Sequence, residues 1–177
     1  MKPLAETTLL LGLGGNVGTE VEIVERMRKV LVAVQSWGAL ADSAVYRTAA
    51  IGPPQPAFLN AALRISLAPP AWQPAELITA VLELESLLGR DRRGEERWGP
   101  RRMDLDVLLW GPRPQRFAGP PALEVPHPRL AERRFALEPL VDLLDEDTEL
   151  PGTGRTLAHA LRQVSTQEVE LTDWKLR

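Results

Sequence analysis

The spacing of apolar residues changes repeatedly along the chain, and each change marks an element. Residues 8–14, TLLLGLG, are an apolar run stopped by glycine, which predicts a buried strand beginning near Thr8. Over 20–36 the spacing shifts to steps of three and four. Val21, Val24, Met27, Leu31 and Val34 then share one face of a predicted helix, capped by Thr19 or Gly18. Glu20 and Glu22 in its first turn, with Arg26, Arg28 and Lys29 further on, suit the helix dipole. Gly38 ends that pattern, and 39–46, ALADSAVY, reads as a modest strand. Over 60–68, Ala61, Leu63, Ile65 and Leu67 alternate with Ala62, Arg64, Ser66 and Ala68, the period of a strand with two unlike faces. Residues 75–88 return to helical spacing through Leu77, Val81, Leu84 and Leu88. Glu85 lies near that stripe, either exposed or pointing over the sheet edge into a pocket. Over 103–110, Leu105, Val107 and Leu109 alternate with Asp104, Asp106 and Leu108, a fourth strand.

Strand–helix–strand–strand–helix–strand is the βαββαβ pattern of a ferredoxin-like α+β fold. It predicts an antiparallel sheet with both helices on one face and a site on the other. The first and fourth strands should be adjacent and central. C-terminal additions follow. Residues 111–126 are proline-rich and read as loop with short extended pieces. A helix over 130–144 is interrupted at Pro139, with Leu137, Leu140, Leu143 and Leu144 as its core face. Turns are predicted at 145–149 and 151–154, then a helix over 156–164 and a short piece with Trp174. Residues 1–177 are expected to form a single domain.

Composition narrows the function. A net charge of -3 with 5% aromatic residues argues against an RNA-binding sheet. The positive charge is local, with six arginines between 90 and 102. There is no cysteine, which excludes disulfides, thiolate catalysis and Cys-ligated metals. The first residues are apolar but broken by glycines and an acid, a poor signal peptide and too short a run to span a bilayer. A cytoplasmic monomer, without membrane or nucleic-acid partners, is the expectation.

The candidate chemistry centres on 97–111, RWGPRRMDLDVLLWG. Period two places Asp104 and Asp106 on one strand face, about 7 Å apart. Two carboxylates so close raise each other's pKa and call for a cation. The nearby arginines supply one, on an ion-paired edge strand. A divalent metal is the other, and oxygen-only ligands suit Mg²⁺. The loop 90–102 can pair with polyphosphate or be a solvated charged loop. The Gly14–Gly18 turn can aim its amides at an anion or at a neighbouring loop. It matches neither a Walker A motif nor a dinucleotide fingerprint. Arg47 to Phe58, with three prolines, is long enough for a binding segment. Asn60 can cap a turn, or donate to and accept from the edge of a planar heterocycle, with Phe58 nearby. His127, between two prolines, is either a phosphate donor or structural.

Four segments, LGLGGNVG (11–18), YRTAAIGPPQPAFLNA (46–61), LLGRDRRGEERWGPRRMDLDVLLWG (87–111) and VPHPRLAERRFALEPL (125–140), resemble the 6-hydroxymethyl-7,8-dihydropterin pyrophosphokinases of folate biosynthesis. The resemblance covers nearly the whole chain. It implies transfer of a pyrophosphoryl group from ATP to the pterin hydroxymethyl oxygen, with release of AMP and two Mg²⁺ ions on Asp104 and Asp106. It assigns catalytic roles to Arg90 and Arg92 in a loop that is one residue longer than a common family form. Glu85, Trp98, Arg101, His127 and Arg133 fall to the nucleotide, and Thr48, Phe58, Asn60 and Phe135 to the pterin, the two phenylalanines sandwiching its ring.

Three positions depart from the family pattern. Gly15 replaces a serine, Phe58 a frequent tyrosine, and Ala49 a common proline in a loop that is slightly short. None is a metal ligand. Other classes compatible with the residues are a palm-type nucleotidyl transferase, which would release pyrophosphate, and a partner-binding domain using the arginine loop as its interface.

Overall fold

The computed structural model describes residues 4–90 and 98–177. The ferredoxin-like unit begins with strand β1 (Thr8–Gly15) and helix α1 (Glu20–Val34). Thr19 and Glu22 close a capping box at the start of α1, each side chain bonding the other's backbone. Its buried face comprises Ile23, Val24, Met27, Val30, Leu31 and Val34. Val21, expected in that stripe, is exposed, because Ile23 and Val30 complete an apolar face that turns it outward. The predicted strand 39–46 divides into β2 (Gly38–Asp42) and β3 (Tyr46–Thr48). Both pair with one long strand, β4 (Phe58–Leu67), at its C- and N-terminal halves respectively. Helix α2 (Pro74–Leu87) and strand β5 (Asp104–Trp110) complete the unit.

The C-terminal part adds a hairpin of β6 (Gln115–Phe117) and β7 (Leu123–Val125), helix α3 (Arg134–Val141), and a small ladder of β8 (Glu149–Leu150) and β9 (Arg155–Thr156). Helix α4 (Leu157–Gln163) and strand β10 (Val169–Leu171) end it. The main sheet runs β10-β3-β4-β1-β5, with β2 also on β4, and every pairing is antiparallel. First and fourth strands are adjacent as expected, but β5 is an edge strand. The centre belongs to β1 and β4, since the ferredoxin-like order places the fourth strand outermost.

Alternation along the strands sorts residues onto two faces. Leu9, Leu11, Leu13, Leu59, Leu63, Ile65, Leu105 and Val107 pack under α1 and α2. Leu10, Ala62, Leu108 and Leu109 meet Ala136, Leu137 and Leu140 of α3 on the opposite face. Leu109 was expected beside Leu105 and Val107. A register shift between Leu10 and Leu11 places Leu108 as an extra residue in β5, and beyond it the parity reverses. The helices of the βαββαβ unit cover one face, and α3 covers one end of the other. What remains open lies over the ends of β1, β4 and β5.

Candidate active site

The opening is a cleft whose empty space, open solvent at its mouth included, is about 890 Å³. Its floor follows from glycine at alternate positions of β1. Gly12 pairs with Asp106 on one side and Ala62 on the other, and Gly14 with Asp104 and Asn60. All of these side chains face away from α1 and α2, so two missing side chains leave room between the carboxylates and Asn60. A Cβ on Gly14 would stand 3.0 Å from Asn60 Oδ1. Thr48, Ala49, Ile51, Phe58, Trp98, Arg101, Arg129, Arg133 and Phe135 wall the cleft.

The cleft gathers nine residues read from the sequence: Thr48, Phe58, Asn60, Trp98, Arg101, Asp104, Asp106, Arg133 and Phe135. Asn60 is the third residue of β4, not its start, and is buried. Its Nδ2 donates to Thr48 Oγ1 at 2.8 Å. That bond fixes the carboxamide orientation and leaves Oδ1 over Gly14. Arg90 and Glu85 stand beside the cleft. Glu85 is 1% exposed and accepts the Leu105 amide at 2.8 Å, satisfying an edge-strand donor. The Arg90 guanidinium bridges Glu85 and Asp104. Glu85 is therefore neither solvated nor in the cleft; it anchors Arg90. His127 lines an adjoining cleft together with Arg116, Glu124 and Pro126. Its Nδ1 accepts the Arg129 amide at 3.2 Å, and burial holds its pKa below the usual histidine range, with Arg133 adding to the effect. Arg92 lies outside the described residues.

Burial pushes the Asp106 carboxyl up to about 7, Asp104 pushes in the same direction, and Arg133 opposes both. A folded-state pKa above the unfolded one means that the native state holds this proton longer. The associated stability is complete below about pH 4 and is lost as the pH rises through about 7. Without divalent cations, denaturant stability is expected to fall across that window by about 2 kcal/mol, less than full linkage because the cleft is open to solvent. Asp106→Asn should flatten the drop, and an unchanged slope in that variant would refute the assignment.

Asn16 went unremarked in the sequence, yet it joins three segments. Its backbone amide and that of Val17 both donate to Arg101 O, at 2.9 and 3.2 Å. Its Oδ1 accepts the Arg101 amide at 2.8 Å, and its Nδ2 donates to Gln55 Oε1 and Pro56 O at 3.0 and 2.9 Å. Within the Gly14–Gly18 turn, the Asn16 and Val17 amides are thus spent on a neighbouring loop. Gly15 permits this contact, since a Cβ there would stand 2.8 Å from Arg102 O. Asn16→Ala should cost about 1–3 kcal/mol by leaving part-buried groups unpaired, read as a lower denaturation midpoint at constant m-value. A loss under about 0.5 kcal/mol would show that the joint does not tie the segments.

A family model described as 7,8-dihydro-6-hydroxymethylpterin-pyrophosphokinase (HPPK) matches residues 10–145. The chain is 35% identical over 162 residues to a 2-amino-4-hydroxy-6-hydroxymethyldihydropteridine pyrophosphokinase of Synechocystis, covering 90% of this chain and 77% of that protein. The chain belongs to this family. A second HPPK, from Methylorubrum extorquens, is 34% identical over 165 residues, covering 93% of this chain and 98% of the relative. Among solved structures, Plasmodium falciparum HPPK-DHPS with pteroate superposes with a TM-score of 0.69 at 10% identity, covering 93% of this chain and 45% of that one. At that identity the likeness speaks for the fold. This HPPK chain therefore spans under half of the two-enzyme polypeptide.

The HPPK cleft is also lined by Gly12 and Ile51, to which no role was assigned from the sequence, by Gly14, read only as the start of a turn, and by Arg129, read only as one cation of the 125–135 segment. For the glycines a signal existed: they alternate with Leu11 and Leu13 at strand period, which marks a strand face stripped of side chains. For Arg129 there was none, because its place depends on how the 126–133 turn folds back over β5.

Proposed function

We propose that this cleft binds the pterin over Gly12 and Gly14, with the nucleotide's phosphates reaching it across Asp104, Asp106 and Arg133. The family activity is ATP-dependent transfer of a pyrophosphoryl group to 6-hydroxymethyl-7,8-dihydropterin, releasing AMP. The pterin hydroxymethyl oxygen attacks the β-phosphorus as the bond from that phosphorus to the α-bridging oxygen breaks. Such a transfer depends on positioning and charge stabilisation more than on covalent chemistry.

Each residue's role follows from its surroundings. Asn60 Oδ1 accepts from the pterin's N–H edge, held in place by Thr48. Phe58 and Phe135 line the same cleft and supply its apolar ring contacts. Arg133 sits 5.5 Å from the Phe135 ring centroid, and its buried Nε has no hydrogen-bond partner. A desolvated donor of that kind is suited to a phosphate oxygen. Arg101 lines the cleft and Arg90 holds Asp104 at its rim, so both assist the transferring charge. Trp98 closes the mouth, with His127 and Glu85 acting from adjoining positions.

Asp104 and Asp106 fit magnesium. Both are oxygen donors on one strand face, and Asp106 is too desolvated to carry its charge comfortably without a cation. Among the described residues no group of three or more His, Cys, Asp or Glu is placed to hold a metal ion, so water and phosphate oxygens would complete each ion's shell. When bound, two such ions would neutralise phosphate charge and polarise the attacking hydroxyl.

We read the chain as one catalytic domain, because β10 completes the sheet beside β3 and Leu176 is buried in the core. No helix of the described residues is long and apolar enough to cross a membrane. A cytoplasmic monomer remains our working form.

The observation that carries the reading is the convergence of the carboxylate pair, Arg133 and the Asn60 amide on one cleft. Incubation with ATP, Mg²⁺ and hydroxymethyl-dihydropterin should yield AMP and a diphosphorylated pterin. Release of pyrophosphate instead would move the protein to the nucleotidyl transferases, and no reaction would remove the catalytic reading.

A further inference from the structure

The mouth of the cleft contains a contact that the roles above do not use. Among the described residues, Trp98 is the non-glycine residue with a left-handed backbone, φ 63°. Bulky side chains rarely adopt that region, so its surroundings must hold it there. From one side the hold is polar: Gln55 Nε2 donates to Trp98 O at 2.7 Å, and Asn16 steadies Gln55 at 3.0 Å. Gly52 adds a close approach, since a Cβ on it would stand 3.0 Å from Trp98 Cβ. From the other side comes Arg129. Its guanidinium carbon lies 5.8 Å from the Trp98 ring centroid, the spacing of a cation–π contact. The Arg129 amide is bonded to His127 Nδ1, so the turn that presents it is fixed, while its ion pair to Glu132 is long at 3.4 Å.

We propose that Arg129 is a positioning residue for the pterin site: it seats the Trp98 indole over the cleft mouth, opposite the Gln55 contact. Its side chain is 39% exposed and Trp98 is 45% exposed, so the contact is one between partly solvated groups. Arg129 and Arg133 both line the cleft, two cations at one rim; burial lowers the pKa of Arg133 and the charge of Arg129 adds to that. The ring face gives the guanidinium a favourable seat, and in return it fixes the indole plane.

This inference rests on the pyrophosphokinase reading for its kinetic arm and not for its optical one. In the optical arm, the Trp98 signal is isolated as the difference between each protein and its Trp98→Phe counterpart. Arg129→Ala should make that signal more accessible to acrylamide, and Arg129→Lys should give an intermediate value. In the kinetic arm, Arg129→Ala should lower kcat/KM for the pterin by about three- to fivefold, the scale of an exposed cation–π contact. On a Trp98→Ala background the same change should have little further effect on kcat/KM for the pterin. An equal kinetic loss on the two backgrounds would make Arg129 a direct substrate contact and overturn the proposal. So would unchanged acrylamide access, or a lowered melting temperature with matching losses for both substrates. Failure of the wild-type protein to turn over would fault the activity reading, and the quenching experiment would still decide this one.

Discussion

Asp106→Ala is expected to reduce turnover by about 10³-fold or more, with the fold intact, because charge stabilisation at a transferring phosphoryl group is the main contribution here. The side chain lines the cleft within electrostatic reach of Asp104 and Arg133, and Asp106 pairs in the sheet with Gly12. Removing it deletes a carboxylate that burial already penalises, so the metal-free protein should gain stability near pH 8. The gain and the loss have the same origin. A charge that is uncomfortable in the empty cleft is the charge that makes a divalent cation welcome there. Asp104 differs in that Arg90 already balances it, and Arg90 in turn is anchored by Glu85. Two measurements separate binding from chemistry. Millimolar Mg²⁺ should raise the wild-type melting temperature above pH 7 and leave that of Asp106→Ala unmoved. Single-turnover AMP release should collapse in the variant. Near-normal release would mean that the carboxylate does not hold the reacting charge.

Much of this site was legible before the fold, for a reason specific to strands. A period of two is rigid, so Asp104 and Asp106 had to share a face once β5 was recognised. The same rule carried Ala61, Leu63 and Ile65 to the core. It failed within β5 at Leu109, where one extra residue reverses parity; nothing in DLDVLLW distinguishes a bulged strand from a straight one. It also missed the Gly12–Gly14 floor, although the alternation with leucine was visible. Helix faces were less secure. Val21 fits a stripe by spacing but loses its place to Ile23, because steps of three and four leave more than one stripe possible along α1. Contacts between distant turns were not legible at all. Asn16 to Gln55 and Arg129 to Trp98 join residues that no periodicity relates, and each depends on where a loop lands after the sheet has formed.

Gly14→Val should produce the second large effect, and of a different kind. Valine favours strands and Gly14 lies inside β1, so the backbone gains from the change. The cleft does not. The new Cβ would stand 3.0 Å from Asn60 Oδ1, tighter than ordinary contact, and the two methyls beyond it would project into the space proposed for the pterin. Overpacking of this sort costs about 1–3 kcal/mol, which at the upper end corresponds to about 100-fold in kcat/KM for the pterin. Gly12→Ala should be milder, since its Cβ meets Leu108 side-chain atoms at 3.1–3.3 Å, and a leucine can yield where a strand-held carboxamide bonded to Thr48 cannot. MgATP affinity in Gly14→Val should stay within about threefold if, as proposed, the phosphates bind over the carboxylates and Arg133 and not over Asn60. Titration of each substrate separately checks the split. A Gly14→Val protein that binds pterin normally would show that the heterocycle does not rest on the glycine floor, while equal loss of both substrates would show that the two sites overlap there.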